Sequence, residues 1–222
     1  MRNVTRSNTP PSLHRHAARW RRELCAALSA PTPDPNRLKL CINRYKRDDI
    51  RSSLEQMYGG LCCYCEGTIG TVSFGHIEHR RPKDSQPQHA FDWNNMHLAC
   101  TLCNHAKANK WNADAEILDS VHDRIPDHLS YRLEGARRWP ETHRGATTIE
   151  HADLNRQRLL DARALIATRV LDTIGGLNHN PDSPDAGLVR QELRAKTSGE
   201  FGSLVQWLLE RFLREAPARP AS

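Results

Sequence analysis

The 222-residue sequence contains no run of roughly 18 uncharged apolar residues, which excludes a membrane-spanning helix. The opening stretch, Met1 to Pro11, is polar and basic and lacks the apolar segment of a secretory leader, so the chain is expected to be cytoplasmic. Aromatic residues are scarce, at 6%, against 38% hydrophobic and 26% charged residues. That balance describes a soluble chain of one or two domains, long enough to bury a core. No internal repeat is visible. Seven cysteines, an odd number, do not make a closed disulfide framework. Four of them fall into two C-x-x-C pairs, which in a reducing compartment point to a metal.

Thirty-two Lys and Arg against 26 Asp and Glu leave a net charge of +6, which favours a polyanionic partner without specifying one. Residues 1–12 show no apolar periodicity, contain Pro10-Pro11 and are expected to form a mobile tail. Residues 13–60 read as a helical segment. Ala17, Trp20, Leu24 and Leu28 mark one helix that stops at Pro31. Leu38, Ile42, Tyr45, Ile50, Leu54 and Met57 mark a second, from about 38 to 58, closed by Gly59-Gly60. Beyond residue 111 a helical region is expected to reach residue 215, with one helix from Asp153 to Ile174 closed by Gly175-Gly176. A loop is expected from Leu177 to Pro184, then a final helix carrying Phe201, Leu204, Val205, Leu208 and Phe212, with 216–222 as a tail. The whole is predicted to be a mainly α protein around a small α+β centre at 61–111.

In that centre, Cys62, Cys65, Cys100 and Cys103 form two pairs at the spacing that lets a tight knuckle bring both sulfurs to one tetrahedral zinc. The 34 residues between the pairs exceed the roughly 15 to 20 of simple zinc ribbons, so the metal would close a loop that holds something else. Buried free thiols are the alternative. Cys63 has the wrong spacing to join, and Cys25 and Cys41 lie on predicted helices as core residues.

Inside the loop, Thr71 to His79 alternates as a short strand ended by Arg80-Arg81-Pro82. Its last two residues, Glu78 and His79, put a hard oxygen donor beside a titratable imidazole, a pairing suited to metal-assisted hydrolysis. A second strand is predicted over Asn95 to Ala99, and Cys103-Asn104-His105-Ala106-Lys107 opens a helix that presents Asn104 toward it.

Cys62-x-Tyr64-Cys65-Glu66, Ile77-Glu78-His79-x-x-Pro82-Lys83, Trp93-x-Asn95 and Cys100-x-x-Cys103-Asn104-x-x-Lys107 together resemble the HNH endonucleases, a ββα-metal fold around one divalent cation. Pro82-Lys83, Thr148-Ile149 and Leu154-Asn155-Arg156 are similar to the HNH component of Septu and retron-type anti-phage defence systems. The resemblance implies that His79 is the general base, that Glu78 and Asn104 ligate Mg²⁺ or Mn²⁺, and that Asn95 pins the loop so that His79 points inward. It also implies DNA as substrate and an ATPase as partner. Asn104 stands where the family often has histidine. His76 shares a strand face with Glu78 and is either a further ligand or a core or surface histidine; His105 lies about 100° around the helix and is not a ligand. Arg80, Arg81, Lys83, Lys107 and Lys110 cluster around the motif as candidate phosphate contacts, or as solvated basic surface. The flanking helices pack either on their own domain or against a partner. A stand-alone HNH enzyme, or a zinc-stapled binding module without catalysis, are the competing readings.

Overall fold

The computed structural model describes residues 1–70 and 75–214. Proline at its first position starts α1 (Pro11–Leu28), and the chain turns at Ser29 ahead of the prolines. The Asp34 side chain, accepting from Asn36 N at 2.9 Å, caps α2 (Pro35–Ile42). The single helix expected over 38–58 is broken. After a short turn through Tyr45, α3 (Asp48–Tyr58) begins afresh with Asp48 and Asp49 in its first turn. The break has a physical cause in the polar interval Lys46 to Asp49, where Asp49 turns back to accept from Ser12 N at 2.7 Å and Ser12 Oγ at 2.8 Å. Gly59, in the left-handed region at φ 58°, closes α3.

Two antiparallel strands follow, β1 (His76–His79) and β2 (Met96–Ala99), with Glu78 opposite His97. The Thr71–Phe74 part of the expected first strand lies outside the described residues. Asn95 sits not in β2 but in the single turn Trp93–Asn95 just before it. The helix α4 (Thr101–Lys107) starts two residues earlier than expected, so that Cys103 lies within its first turn. The order is β-β-α.

Beyond it, a hairpin that periodicity did not reveal, β3 (Leu129–Arg132) with β4 (Arg137–Pro140), precedes α5 (His143–His151). The expected Asp153–Ile174 helix is α6 (Gln157–His179), which runs straight through Gly175 and Gly176. Neither glycine has a positive φ, so neither acts as a stop. The loop shrinks to 180–185 and is followed by α7 (Ala186–Ala195) and α8 (Gly202–Phe212). Leu204, Val205 and Leu208 of α8 are buried in the chain's own core, as are Trp20 and Leu24 of α1. The flanking helices therefore spend these stripes internally.

The first twelve residues are not a free tail. Val4 N donates to Ser120 O at 2.9 Å, Arg6 to Met96 O at 2.7 Å, and Trp93 Nε1 to Ser7 O at 2.9 Å. Met1 is buried, with its amino group on Glu66. Hydrogen bonds to backbone hold this segment, and such bonds leave no apolar period to read. The expected C-terminal tail, 216–222, lies outside the described residues. Among the described residues no helix is long and apolar enough to cross a membrane.

Candidate metal-dependent active site

Cys62 and Cys65 follow the Gly59-Gly60 turn, while Cys100 caps α4 and Cys103 lies in its first turn. Their four sulfurs lie within 4.8 Å of one another, with Cys65 and Cys100 Sγ 3.9 Å apart. Tetrahedral zinc–thiolate bonds of about 2.3 Å require sulfurs about 3.8 Å apart, so the cluster can hold a metal ion such as zinc. The surrounding charges fit the dianion that four thiolates and Zn²⁺ would make. Arg156 Nη1 donates to Cys103 Sγ at 3.4 Å, and Gly67 N to Cys65 Sγ at 3.4 Å. Burial opposes the Arg156 charge, yet Cys103 and its neighbours raise the pKa. Arg163, wholly buried, donates to Leu154 O at 2.7 Å and leaves Nε and Nη2 without partners among the described residues. Contact with Cys103 draws the Cys100 thiol down to about 7, toward the thiolate a metal needs. Cys63 lies outside the cluster; burial pushes its thiol well up.

α4 lies against β1, and beside them is a cleft of about 210 Å³. Glu78 and His79 line it from β1 and Asn104 from α4, so the structure brings these three together. His79 Nε2 lies 2.9 Å from Ala90 O. A carbonyl only accepts, so Nε2 carries the proton and Nδ1 keeps its lone pair. The Tyr45 ring meets the imidazole edge-on at 4.6 Å. Burial, opposed by the Ala90 contact, lowers the His79 pKa to about 4, leaving the ring neutral near pH 7. Glu78 is buried, and Oε1 accepts from Lys107 Nζ at 2.7 Å and Tyr64 OH at 3.3 Å. Burial raises its pKa against the pull of Lys107. Oε2 has no hydrogen-bond partner among the described residues. Asn95 accepts from Arg81 N at 2.7 Å and donates to Arg81 O and His89 O at 2.9 and 3.1 Å, which ties down the loop after β1. His76 lines the same cleft with Nε2 3.2 Å from Thr101 Oγ1, and His105 is exposed.

Three of the five candidate phosphate contacts are engaged within the protein. Arg80 is bound to Glu116 at 2.6 Å and lies 3.5 Å from Asp119, and Arg81 reaches Glu116 at 2.9 Å while stacking over Trp111. Lys107 is wholly buried. Carboxylates brought in from the loop after α4 neutralise the two arginines, a pairing invisible from local sequence. Lys83 lines the cleft, 3.7 Å from Asp84, and Lys110 is exposed. Sequence reasoning missed Tyr45, Lys46 and Tyr64 as parts of the site. Tyr45 and Lys46 line the cleft from the unexpected break before α3, and Tyr64 had only its place between two cysteines to mark it.

His97 of β2 is buried with Nδ1 2.6 Å from Tyr58 OH, and burial, opposed by Asp119, lowers its pKa to about 3. Folded His79 and His97 thus resist protons that the unfolded chain takes up near pH 6.5, so stability falls as pH drops through 6.5 toward 4. From pH 7 to 5 each histidine is expected to remove about 2 kcal/mol, before most carboxylates titrate. Urea midpoints across that window measure it; a flat profile would refute it.

The chain is thus a mainly helical protein with a four-cysteine cluster that could hold a metal, beside a cleft lined by an imidazole, a carboxylate and an amide. No protein-family model matches the chain. It is similar to the Septu protein PtuB of Bacillus mycoides (strain KBAB4), at 27% identity over 160 residues covering 58% of this chain and 54% of that protein. It is also similar to the Septu protein PtuB of Bacillus thuringiensis, at 29% over 130 residues, 56% and 49% of the two chains. The chain spans about half the length of these curated relatives.

Proposed function

We propose that the protein is a metal-dependent HNH endonuclease that hydrolyses DNA phosphodiesters, the effector of an anti-phage defence system controlled by an ATPase partner. The observation that carries the chemistry is the unshared Nδ1 of His79 in the same cleft as the free Oε2 of Glu78 and the Asn104 amide. The defence setting rests on the similarity to Septu PtuB, and the ATPase on the motif resemblance alone. Glu78 and Asn104 would hold Mg²⁺ or Mn²⁺, and the cleft fits such an ion because one oxygen of a buried carboxylate is left unpaired toward it. When bound, the cation supplies Lewis-acid stabilisation of the charge that builds on the phosphate and the leaving oxygen.

The protein's own residues do the rest. His79, neutral and locked as the Nε2–H tautomer by Ala90, accepts a proton from water at Nδ1. Tyr45 fixes the plane of its ring, and Asn95 fixes the loop that carries Ala90 by binding His89 O. Lys46 and Lys83 on the cleft, with Lys110 beyond it, hold flanking phosphates.

The test incubates supercoiled plasmid and Mg²⁺ or Mn²⁺ with wild-type protein and with Glu78→Gln, each with and without an ATPase where a neighbouring gene encodes one. The wild type is expected to cleave at least about a hundredfold faster, the scale of a lost ligand worth several kcal/mol. Equal cleavage by both proteins would overturn the reading. Full cleavage without the ATPase would remove partner control from it.

A further inference from the structure

Lys107 is the largest departure from what the motif implies. It closes the run Asn104-x-x-Lys107 and was expected to reach a phosphate, yet it is 0% exposed. Its ammonium has three protons and three oxygens to take them: Glu78 Oε1 at 2.7 Å, His79 O at 2.8 Å and Ala108 O at 3.4 Å. No donor is left for a substrate. Two of these oxygens belong to the end of β1, and the third belongs to the residue that ends α4. Ala108 stands at φ 44°, a region that L residues avoid and that the surroundings must enforce.

We infer that Lys107 is a positioning residue of the candidate active site: its buried ammonium clamps Glu78 Oε1 and the β1 backbone to the end of α4, which sets the gap between Glu78 and Asn104 and leaves Oε2 as the only carboxylate oxygen free for a divalent cation. The inference rests on the metal-dependent reading above. Three features support it together. Oε1 is already occupied twice, by Lys107 and by Tyr64, so the carboxylate is presented through one oxygen in a fixed rotamer. Lys107 lies one helical turn after Asn104, so the same turn of α4 carries a ligand and the tie that holds its partner ligand in place. The remaining protons of the ammonium go to His79 O and Ala108 O, so the same group ties the end of β1 to the end of α4.

The experiment compares wild type, Lys107→Met, Lys107→Arg and Lys83→Met. It measures zinc content, Mn²⁺ affinity by electron paramagnetic resonance without DNA, and the salt dependence of DNA binding in Ca²⁺. Lys107→Met is expected to keep its zinc and the wild-type salt dependence while Mn²⁺ affinity drops by about 10- to 100-fold, as when other outer-shell partners of metal ligands are lost. Lys83→Met is expected to show the reverse, with unchanged Mn²⁺ affinity and a salt slope smaller by about one. Mn²⁺ affinity within twofold of wild type in Lys107→Met overturns the inference, and so does a Lys107→Met salt slope that falls like that of Lys83→Met. If Lys107→Met loses zinc, Lys107→Arg decides. A guanidinium keeps the charge but not the compact three-oxygen fit, so Mn²⁺ affinity must still fall, and wild-type affinity there overturns the inference. Wild-type protein that holds zinc but no Mn²⁺ overturns the metal-dependent reading and this inference with it, whereas an unaltered Lys107→Met overturns the inference alone.

Discussion

His79→Ala is expected to slow plasmid cleavage by about a hundred- to ten-thousandfold, the usual contribution of a positioned general base, and to leave zinc content unchanged. The expectation depends on which nitrogen is free. Ala90 O commits Nε2 to donation, and Nδ1 has no hydrogen-bond partner among the described residues. With the pKa lowered to about 4, almost every molecule holds the unprotonated form near pH 7. A variant with asparagine at 79 retains an N–H donor but no basic nitrogen, so it is expected to be as slow as the alanine variant. Fold loss is separated from chemistry by the acid profile. A variant lacking His79 no longer carries the proton uptake of that ring on unfolding, so its stability declines less between pH 7 and 5 than that of the wild type. Cleavage by His79→Ala at the wild-type rate would show that another group activates the water.

How much of this was legible in the sequence depends on the range of the interaction. The two C-x-x-C pairs are local, and their spacing suits each pair to a shared ion; the structure gathers all four sulfurs. Glu78 and His79 are adjacent, and Asn104 sits next to a cysteine, so anything that fixes the sulfurs also fixes these side chains near one another. The basic residues behaved differently. Arg80 and Arg81 read as free cations because their carboxylate, Glu116, comes from a loop 36 and 35 residues away. Lys107 read the same way because burial of an amine has no local mark. Gly175-Gly176 resembled a helix stop, but α6 needs no stop where Ile174 and Leu177 both continue its buried stripe. The β3–β4 hairpin escaped because its strands are only four residues long and the buried position of β4 is a charged residue, Arg138, with Trp139 exposed.

Cys100→Ser is expected to abolish metal retention and unfold the centre of the molecule, the largest effect on stability expected of any single substitution here. Structural zinc contributes about 10 to 16 kcal/mol of apparent binding energy in small domains, while whole domains are stable by only about 5 to 15 kcal/mol. One lost thiolate therefore removes a share comparable to the whole margin. The damage would also be electrostatic. Half-buried Arg156 donates to Cys103 Sγ and has no carboxylate contact among the described residues, so without the thiolate charge it loses its counter-charge. Cys62, Cys65 and Cys103 also belong to the main apolar core with Leu98 and Ala99, so swelling at the cluster propagates into β2. From there it reaches Asn104, whose helix starts at the same cysteines. Elemental analysis and thermal melting of Cys100→Ser and Cys63→Ser test this. Cys63→Ser alters a buried thiol outside the cluster and is expected to keep a full complement of zinc with a modest drop in melting temperature. Unchanged zinc and melting in Cys100→Ser, or equal zinc loss in both variants, would show that the four sulfurs do not act as one site.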